Sequence, residues 1–125
     1  MNIELPKLSG GVISAEASAD AGVVRVRFSG TADLEAKDDL EVFVKKLHRE
    51  AVRLSATKVI VDFRELEFMN SSSFKVFVAW LANVQDLPPE KQYKITLRSN
   101  PNLHWQRRSL AALSCFAAEL ITIEA

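Results

Sequence analysis

The stretch that decides the fold of this chain runs Lys58-Val59-Ile60-Val61-Asp62-Phe63-Arg64-Glu65-Leu66-Glu67-Phe68-Met69-Asn70-Ser71-Ser72-Ser73. Its first six residues are rich in β-branched and apolar side chains, which is typical of a central strand covered on both faces. Three hydroxyl side chains then begin a segment, 71–84, whose apolar residues follow a helical period. A buried strand that leads into a helix is the repeating unit of an α/β fold.

The residues before this stretch predict a hairpin and a helix. Segments 12–17 and 23–28 alternate apolar and polar side chains around a turn, so we expect two antiparallel strands, the second ending at Gly30. From 34 to 54 the apolar residues recur every three or four positions, as on one face of a helix. Asp33 is placed to cap that helix.

The residues after the stretch predict two further strands and a helix. Segment 93–98 alternates like a strand, Asn100-Pro101 has the residue types that open a helix, and 119–124 closes the chain as a strand. The expected fold class is α/β, with a mixed β-sheet, helices packed against it and the order β-β-α-β-α-β-α-β. We expect residues 1–125 to form a single domain.

Composition excludes several classes of partner. The 125 residues carry 16 Lys+Arg and 16 Asp+Glu, so no overall charge favours nucleic acid or an anionic membrane. The longest apolar run, 76–82, is far shorter than the about 20 residues that span a bilayer. No signal peptide is recognisable, and the single Cys115 is expected to be a buried thiol. These features predict a cytoplasmic protein.

Motifs for catalysis, cofactors and metals are not found in the sequence. The four glycines do not form a phosphate-binding loop or a dinucleotide fingerprint, and no nucleophile elbow is present. His48, His104 and Cys115 lack the spacing of metal ligands. We therefore expect no catalytic residues, no cofactor and no metal.

The hydroxyl cluster after Asn70 has two explanations. Asn70 or Ser71 can cap the helix, a role that needs one such residue. Alternatively, Ser72 is a phosphorylation site, since unpaired N–H groups and the helix dipole favour an anion in the first turn. Lys75 lies three residues after Ser72, where it can pair with a phosphate and contact a partner.

Two motifs and the order of the elements resemble a known family. Gly30-Thr31-Ala32-Asp33 lies between the second strand and the first helix, and 59–73 forms a strand, a short loop and a serine-rich helix start. In these features the chain resembles a STAS domain, the fold of bacterial anti-sigma-factor antagonists, over nearly its full length.

The resemblance implies a signalling adaptor and names its residues. A regulatory serine kinase or anti-sigma factor would bind the chain, the kinase would phosphorylate Ser72, with Ser71 as the alternative, and a phosphatase would reverse the modification. Asp33 matches the acidic residue near the family's phosphorylation pocket. Asn70 and Ser73, also expected at the partner surface, stand where the family usually has Asp and Gly.

Two further segments are candidates for protein contacts. Val76 and Trp80 extend the apolar surface around the second helix, which favours either a core role or partner binding. Trp105, Arg107 and Arg108 form either an ordinary packed and solvated helix segment or a second contact surface.

Two alternative functions remain. A constitutive STAS interaction module that is never phosphorylated would fit the residues at 70 and 73. A small-ligand binder or an enzyme would instead use a pocket near Asp33, Asp62 and Ser72, although no nucleophile and base are spaced for it.

Overall fold

The computed structural model describes residues 8–9, 13–33 and 36–124, the first two by their backbone alone. Its elements in chain order are β1 (Leu8–Ser9), β2 (Ile13–Asp20), β3 (Val23–Ala32), α1 (Lys37–Arg53), β4 (Lys58–Met69), α2 (Ser71–Gln85), a 3-10 turn (Pro89–Lys91), β5 (Lys94–Arg98), α3 (His104–Phe116) and β6 (Ile121–Glu124). The strands form one sheet in the order β1 to β6, antiparallel from β1 to β3 and parallel from β3 to β6. This mixed sheet with its helices confirms the predicted fold class, with the short β1 as an addition.

The β2–β3 hairpin is closed by a two-residue turn. Asp20 pairs with Val23, and Ala21 and Gly22 between them have φ angles of 51° and 79°. Left-handed conformations at both positions are typical of a type I′ turn, whose twist matches that of the strands. The predicted hairpin is confirmed in the part of 12–17 that the structure describes, since residue 12 lies outside the described residues.

Strand β3 is longer than the sequence predicts. Gly30 does not end it but lies within it, with φ of 91° beside a shift of register against β4. The strand then continues to Ala32, which pairs with Met69 at the end of β4. The loops that follow β3 and β4 therefore leave the sheet side by side.

All three helices pack on one face of the sheet. The parallel strands follow one another in sequence order, and right-handed crossovers then place each helix on the same side. Val26 and Phe28 point to that side and are buried, whereas Arg25 and Arg27 are exposed on the other. The prediction that β4 is covered on both faces is wrong, because Ile60 is partly exposed and no described helix covers that face.

An aromatic cluster joins the helices to the sheet. The ring centroid of Phe28 in β3 lies 5.8 Å from that of Phe63 in β4, 5.7 Å from that of Phe43 in α1 and 5.7 Å from that of Phe77 in α2. The Phe28 and Phe63 rings are stacked, and Phe43 and Phe77 meet Phe28 edge to face; contacts of both kinds add to the burial of each ring. The cluster fixes α1 and α2 next to each other above β3 and β4.

Two predicted helix starts are wrong. The N-cap of α1 is Ala36, and Asp33 Oδ1 instead accepts the Ala36 N–H, at 3.2 Å, in the preceding turn. Asn100 likewise does not cap α3, which begins at His104; its Oδ1 accepts the Asn102 N–H at 2.9 Å and closes a local turn. In both cases a polar side chain stabilises a turn that precedes the helix.

The end of α3 is more exposed than its apolar residues suggest. Cys115 is exposed rather than buried, and Phe116 is 53% exposed where α3 ends. Trp105 packs against β4 and donates its indole N–H to the Leu66 carbonyl at 3.1 Å. The packed role of Trp105 is thereby confirmed.

Among the described residues, no helix combines the length and apolarity needed to cross a membrane.

Candidate functional site

The first turn of α2 begins where β4 ends. Asn70 has an extended backbone and acts as N-cap, because its Oδ1 accepts the Ser73 N–H at 2.9 Å. The Asn70 N–H donates in turn to the Ala32 carbonyl at 2.9 Å. The helix start is thus capped by a neutral amide and tied to the end of β3.

The three consecutive serines have different surroundings. Ser73 is 0% exposed, and its hydroxyl donates to the Asp33 carbonyl at 3.5 Å. Ser71 is exposed, and Ser72 is partly exposed. Neither the Ser71 nor the Ser72 hydroxyl forms a hydrogen bond with a described residue, so both are available to another molecule. The prediction that Ser73 contacts a partner is wrong, since the hydroxyl lies inside the fold.

A groove between α1 and α2 opens beside Ser72. Its volume is about 420 Å³, and its lining is Lys37, Glu41, Val44 and Lys45 from α1 with Ser72, Lys75, Val76, Ala79, Trp80 and Asn83 from α2. We call it the α1–α2 groove. Its floor is apolar and its rim carries three ammonium groups and one carboxylate.

The acidic side chains along α1 neutralise part of this rim. Glu41 lies 3.8 Å from Lys37 Nζ and 3.5 Å from Lys45 Nζ, and Lys37 also lies 3.8 Å from Asp38. Lys75 is exposed and forms no ion pair with residues 13–33 or 36–124. Exposed pairs at such distances contribute little to stability, so the ammonium groups can be drawn to another anion.

Sequence reasoning missed the contribution of α1 to this site. It named Ser72 and Lys75 on α2, but not Lys37 and Lys45. The signal was present, because Lys37, Glu41 and Lys45 are spaced four residues apart and therefore share one face of the helix. Only the packing of α1 against α2 shows that this face borders Ser72.

Val76 and Trp80 are core residues rather than exposed partner contacts. They are 5% and 2% exposed, and only their edges reach the floor of the groove. Trp80 Nε1 donates to the Tyr93 hydroxyl at 2.8 Å, which in turn lies 2.6 Å from His48 Nδ1. Burial lowers the pKa of His48 and raises that of Tyr93. The network joins α1, α2 and the residue before β5 beneath the groove.

The residues of the ligand-binding alternative are not brought together. Asp62 lies on the open face of the sheet, among Arg25, Arg98 and their neighbours, on the side away from Ser72. Arg64 holds it through hydrogen bonds of 3.0 and 2.8 Å. Burial alone would raise the pKa of Asp62, but those bonds and the charge of Arg64 keep it below its ordinary value. The carboxylate is thus committed to a structural ion pair.

Metal ligands are not clustered in the part of the chain that the structure describes. There, no group of three or more His, Cys, Asp or Glu side chains could hold an ion.

Comparison with known proteins gives a result for structure alone. No protein family model matches the sequence, and neither does any curated protein. Among solved structures, an anti-sigma factor antagonist from Mycobacterium paratuberculosis is similar, with a TM-score of 0.65, 19% identity, and coverage of 94% of this chain and 90% of that chain.

A second similar structure is that of the anti-sigma factor antagonist SpoIIAA in its unphosphorylated form. Its TM-score is 0.59 at 14% identity, with coverage of 89% of this chain and 88% of that chain. The protein therefore has the STAS fold of anti-sigma factor antagonists, and the resemblance inferred from 59–73 and from the order of the elements is confirmed at the level of the fold.

Proposed function

We propose that this chain is a bacterial signalling adaptor of the anti-sigma-factor-antagonist type, acting in the cytoplasm and without catalytic activity of its own. It binds a regulatory serine kinase or anti-sigma factor through the first turns of α2 and the loops beside them. Phosphorylation of Ser72 releases this partner, and a phosphatase restores binding.

The observation that carries this proposal is the division of roles among the residues at the start of α2. Asn70 caps the helix and Ser73 is buried, so folding does not use the Ser72 hydroxyl, which faces a groove at the surface. A first-turn phosphate is also compatible with the helix dipole. The site can accept the modification without unfolding.

The chemical step needs a partner that brings ATP and Mg²⁺. The Ser72 oxygen bonds to the γ-phosphorus of ATP, the bond from that phosphorus to the bridging oxygen breaks, and ADP leaves. The hydroxyl proton passes to a base of the kinase. The product carries about −1.5 to −2 charges where the Ser72 hydroxyl had none, which opposes docking by desolvation and by repulsion of acidic groups.

The comparisons support this proposal through the fold. Both similar structures are of anti-sigma factor antagonists, and the state given for one of them, unphosphorylated, concerns the same type of modification.

Co-purification from the native bacterium tests the function. Tagged wild type, Ser72→Ala and Ser72→Asp are compared, with Ser18→Asp as the matched control, since Ser18 is an exposed serine on the open face of the sheet. A kinase-type ATPase should be recovered with wild type, Ser72→Ala and Ser18→Asp. Its recovery should drop at least about tenfold with Ser72→Asp, equivalent to about 1.4 kcal/mol. Equal recovery from all four would reject control by Ser72.

Intact-mass measurement tests the modification itself. The recovered ATPase, incubated with ATP and wild type, should add one phosphate, and Ser72→Ala should remain unmodified. Transfer to Ser72→Ala but not to Ser71→Ala would assign the alternative, exposed hydroxyl.

A constitutive interaction module is the second candidate. It is favoured by Asn70, whose neutral amide already serves as the cap, so that the site lacks a carboxylate beside the serine. Binding of the same partner with no phosphate on either Ser71 or Ser72 would establish it.

A further inference from the structure

The α1–α2 groove places cations from two helices around one partly exposed serine. Lys37 and Ser72 both line it although they lie on different helices, and Lys75 borders it from the same helix as Ser72. Ser71, the adjacent hydroxyl, does not line the groove. The two candidate modification sites therefore differ in what surrounds them.

The charges of the groove leave room for one anion. Three lysines and one carboxylate, Glu41, line the groove, and Glu41 is shared between Lys37 and Lys45. Lys37 also lies 3.8 Å from Asp38, whose side chain is exposed outside the lining. Lys75 makes no ion pair among the described residues. Long ammonium side chains over an apolar floor can turn to a phosphate without any movement of the helices.

We infer that the α1–α2 groove is an intramolecular clamp for phosphoserine 72, in which Lys37 of α1 and Lys75 of α2 bind the phosphate from two sides. This inference rests on the proposed function only in taking Ser72 as the modified residue. The clamp holds the phosphate over the groove, so phosphorylation has two effects at once. It covers the apolar floor of the groove, and it neutralises the lysines.

The clamp also defines the chemistry of the partner segment that is displaced. Before modification the groove offers ammonium groups around the edges of Val76 and Trp80. The complementary ligand is a short protein segment with an apolar side chain flanked by carboxylates. Phosphoserine 72 competes with those carboxylates for the same lysines.

The test installs phosphoserine directly during translation, separately at position 72 and at position 71, so that its result does not depend on any kinase. ³¹P NMR then measures the second pKa of the phosphate, about 6 for free phosphoserine. We expect the value at position 72 to lie lower than that at position 71 by roughly half a pH unit or more, since two ammonium groups favour the dianion. Lys37→Gln and Lys75→Gln should each raise it towards the value at position 71.

Lys91→Gln is the matched control, because Lys91 is exposed and lies outside the groove. This substitution should leave the second pKa of the phosphate unchanged both at position 71 and at position 72. Equal values at positions 71 and 72, without response to either groove lysine, would overturn the clamp. A response to Lys75→Gln alone would also overturn it, since a pair within one helix needs no groove.

These outcomes are independent of the proposed function. Failure of kinase transfer to Ser72 would leave the measured clamp intact, and an absent clamp would leave the co-purification result intact.

Discussion

The Ser73 amide lies 2.9 Å from Asn70 Oδ1, and this one hydrogen bond caps α2 without help from the Ser72 hydroxyl. Asn70→Ala should therefore lower the free energy of unfolding by about 1 kcal/mol. Asn70→Asp should keep it, because a carboxylate also accepts this bond and favours the helix dipole. Urea denaturation measures the difference.

Ser72→Ala is the control for this comparison. Its stability should equal that of wild type within about 0.5 kcal/mol, as for a surface substitution that breaks no contact. A loss as large as that of Asn70→Ala would show that Ser72 helps to cap the helix.

The buried hydroxyl of Tyr93 gives a second prediction. Tyr93→Phe removes the partner of the Trp80 indole N–H and of His48 Nδ1. Leaving buried polar groups without partners should lower the free energy of unfolding by about 1–3 kcal/mol. Thermal or urea denaturation measures this loss.

A double variant tests whether the hydrogen bond between Trp80 and Tyr93 causes this loss of stability. Trp80→Phe with Tyr93→Phe should lose less than the sum of the two single variants, because the shared hydrogen bond is counted in both. Strict additivity would contradict the coupling between the two side chains.

The burial of His48 and Tyr93 also predicts a pH range of maximal stability. The pKa of His48 is lowered by burial, so the unfolded chain takes up a proton at about pH 6.5 before the folded chain does. Stability is therefore full above that pH and decreases as the pH falls below it. The pKa of Tyr93 is raised, so stability should also decrease above about pH 10.

Two histidine variants isolate the acidic side of this range. His48→Gln should weaken the loss of stability between about pH 6.5 and pH 5, which urea denaturation at each pH measures. His104→Gln, at an exposed position, should retain it. If both variants had the same pH profile, the loss of stability at acidic pH would not come from His48.

The hairpin turn predicts a stabilising substitution. Ala21 has a φ of 51°, a left-handed conformation that favours Asn, and Asn-Gly is the preferred pair for this turn. Ala21→Asn should raise the free energy of unfolding by roughly 0.5–1 kcal/mol. Thermal denaturation should show a higher midpoint.

Gly22→Ala should have the opposite effect. A Cβ at Gly22 would meet Thr57 Oγ1 at 3.7 Å, an ordinary contact, so the loss comes from the φ of 79° and not from a clash. Unchanged stability in both variants would contradict a left-handed turn.

The sequence predicted the elements of the fold well because its apolar periods are strong. The β-branched residues of β4 and the three- and four-residue steps of α1 each indicate one type of element. Helix starts were predicted less well. Asp33 and Asn100 have the residue types of N-caps, but their side chains close local turns that precede α1 and α3.

The candidate site could be predicted only in part. Ser72 and Lys75 are close in sequence, so their proximity follows from one helix. Which side of α2 is buried depends on where α1 and β4 pack, and this decides that Trp80 is core and Lys37 borders the site. A central strand with one open face could not be told from a fully covered one, because Ile60, which is partly exposed, is as apolar and β-branched as the buried Val59 and Val61 beside it.

The floor of the α1–α2 groove contains one of only two tryptophans in the chain. The second, Trp105, lies on α3 with its N–H held by the Leu66 carbonyl, outside the groove. The protein thus carries a built-in fluorophore beneath its candidate site, and its other tryptophan can be removed without changing the groove lining. Changes in the emission of Trp80, compared in Trp105→Phe protein, would follow occupation of the groove in real time and without a label.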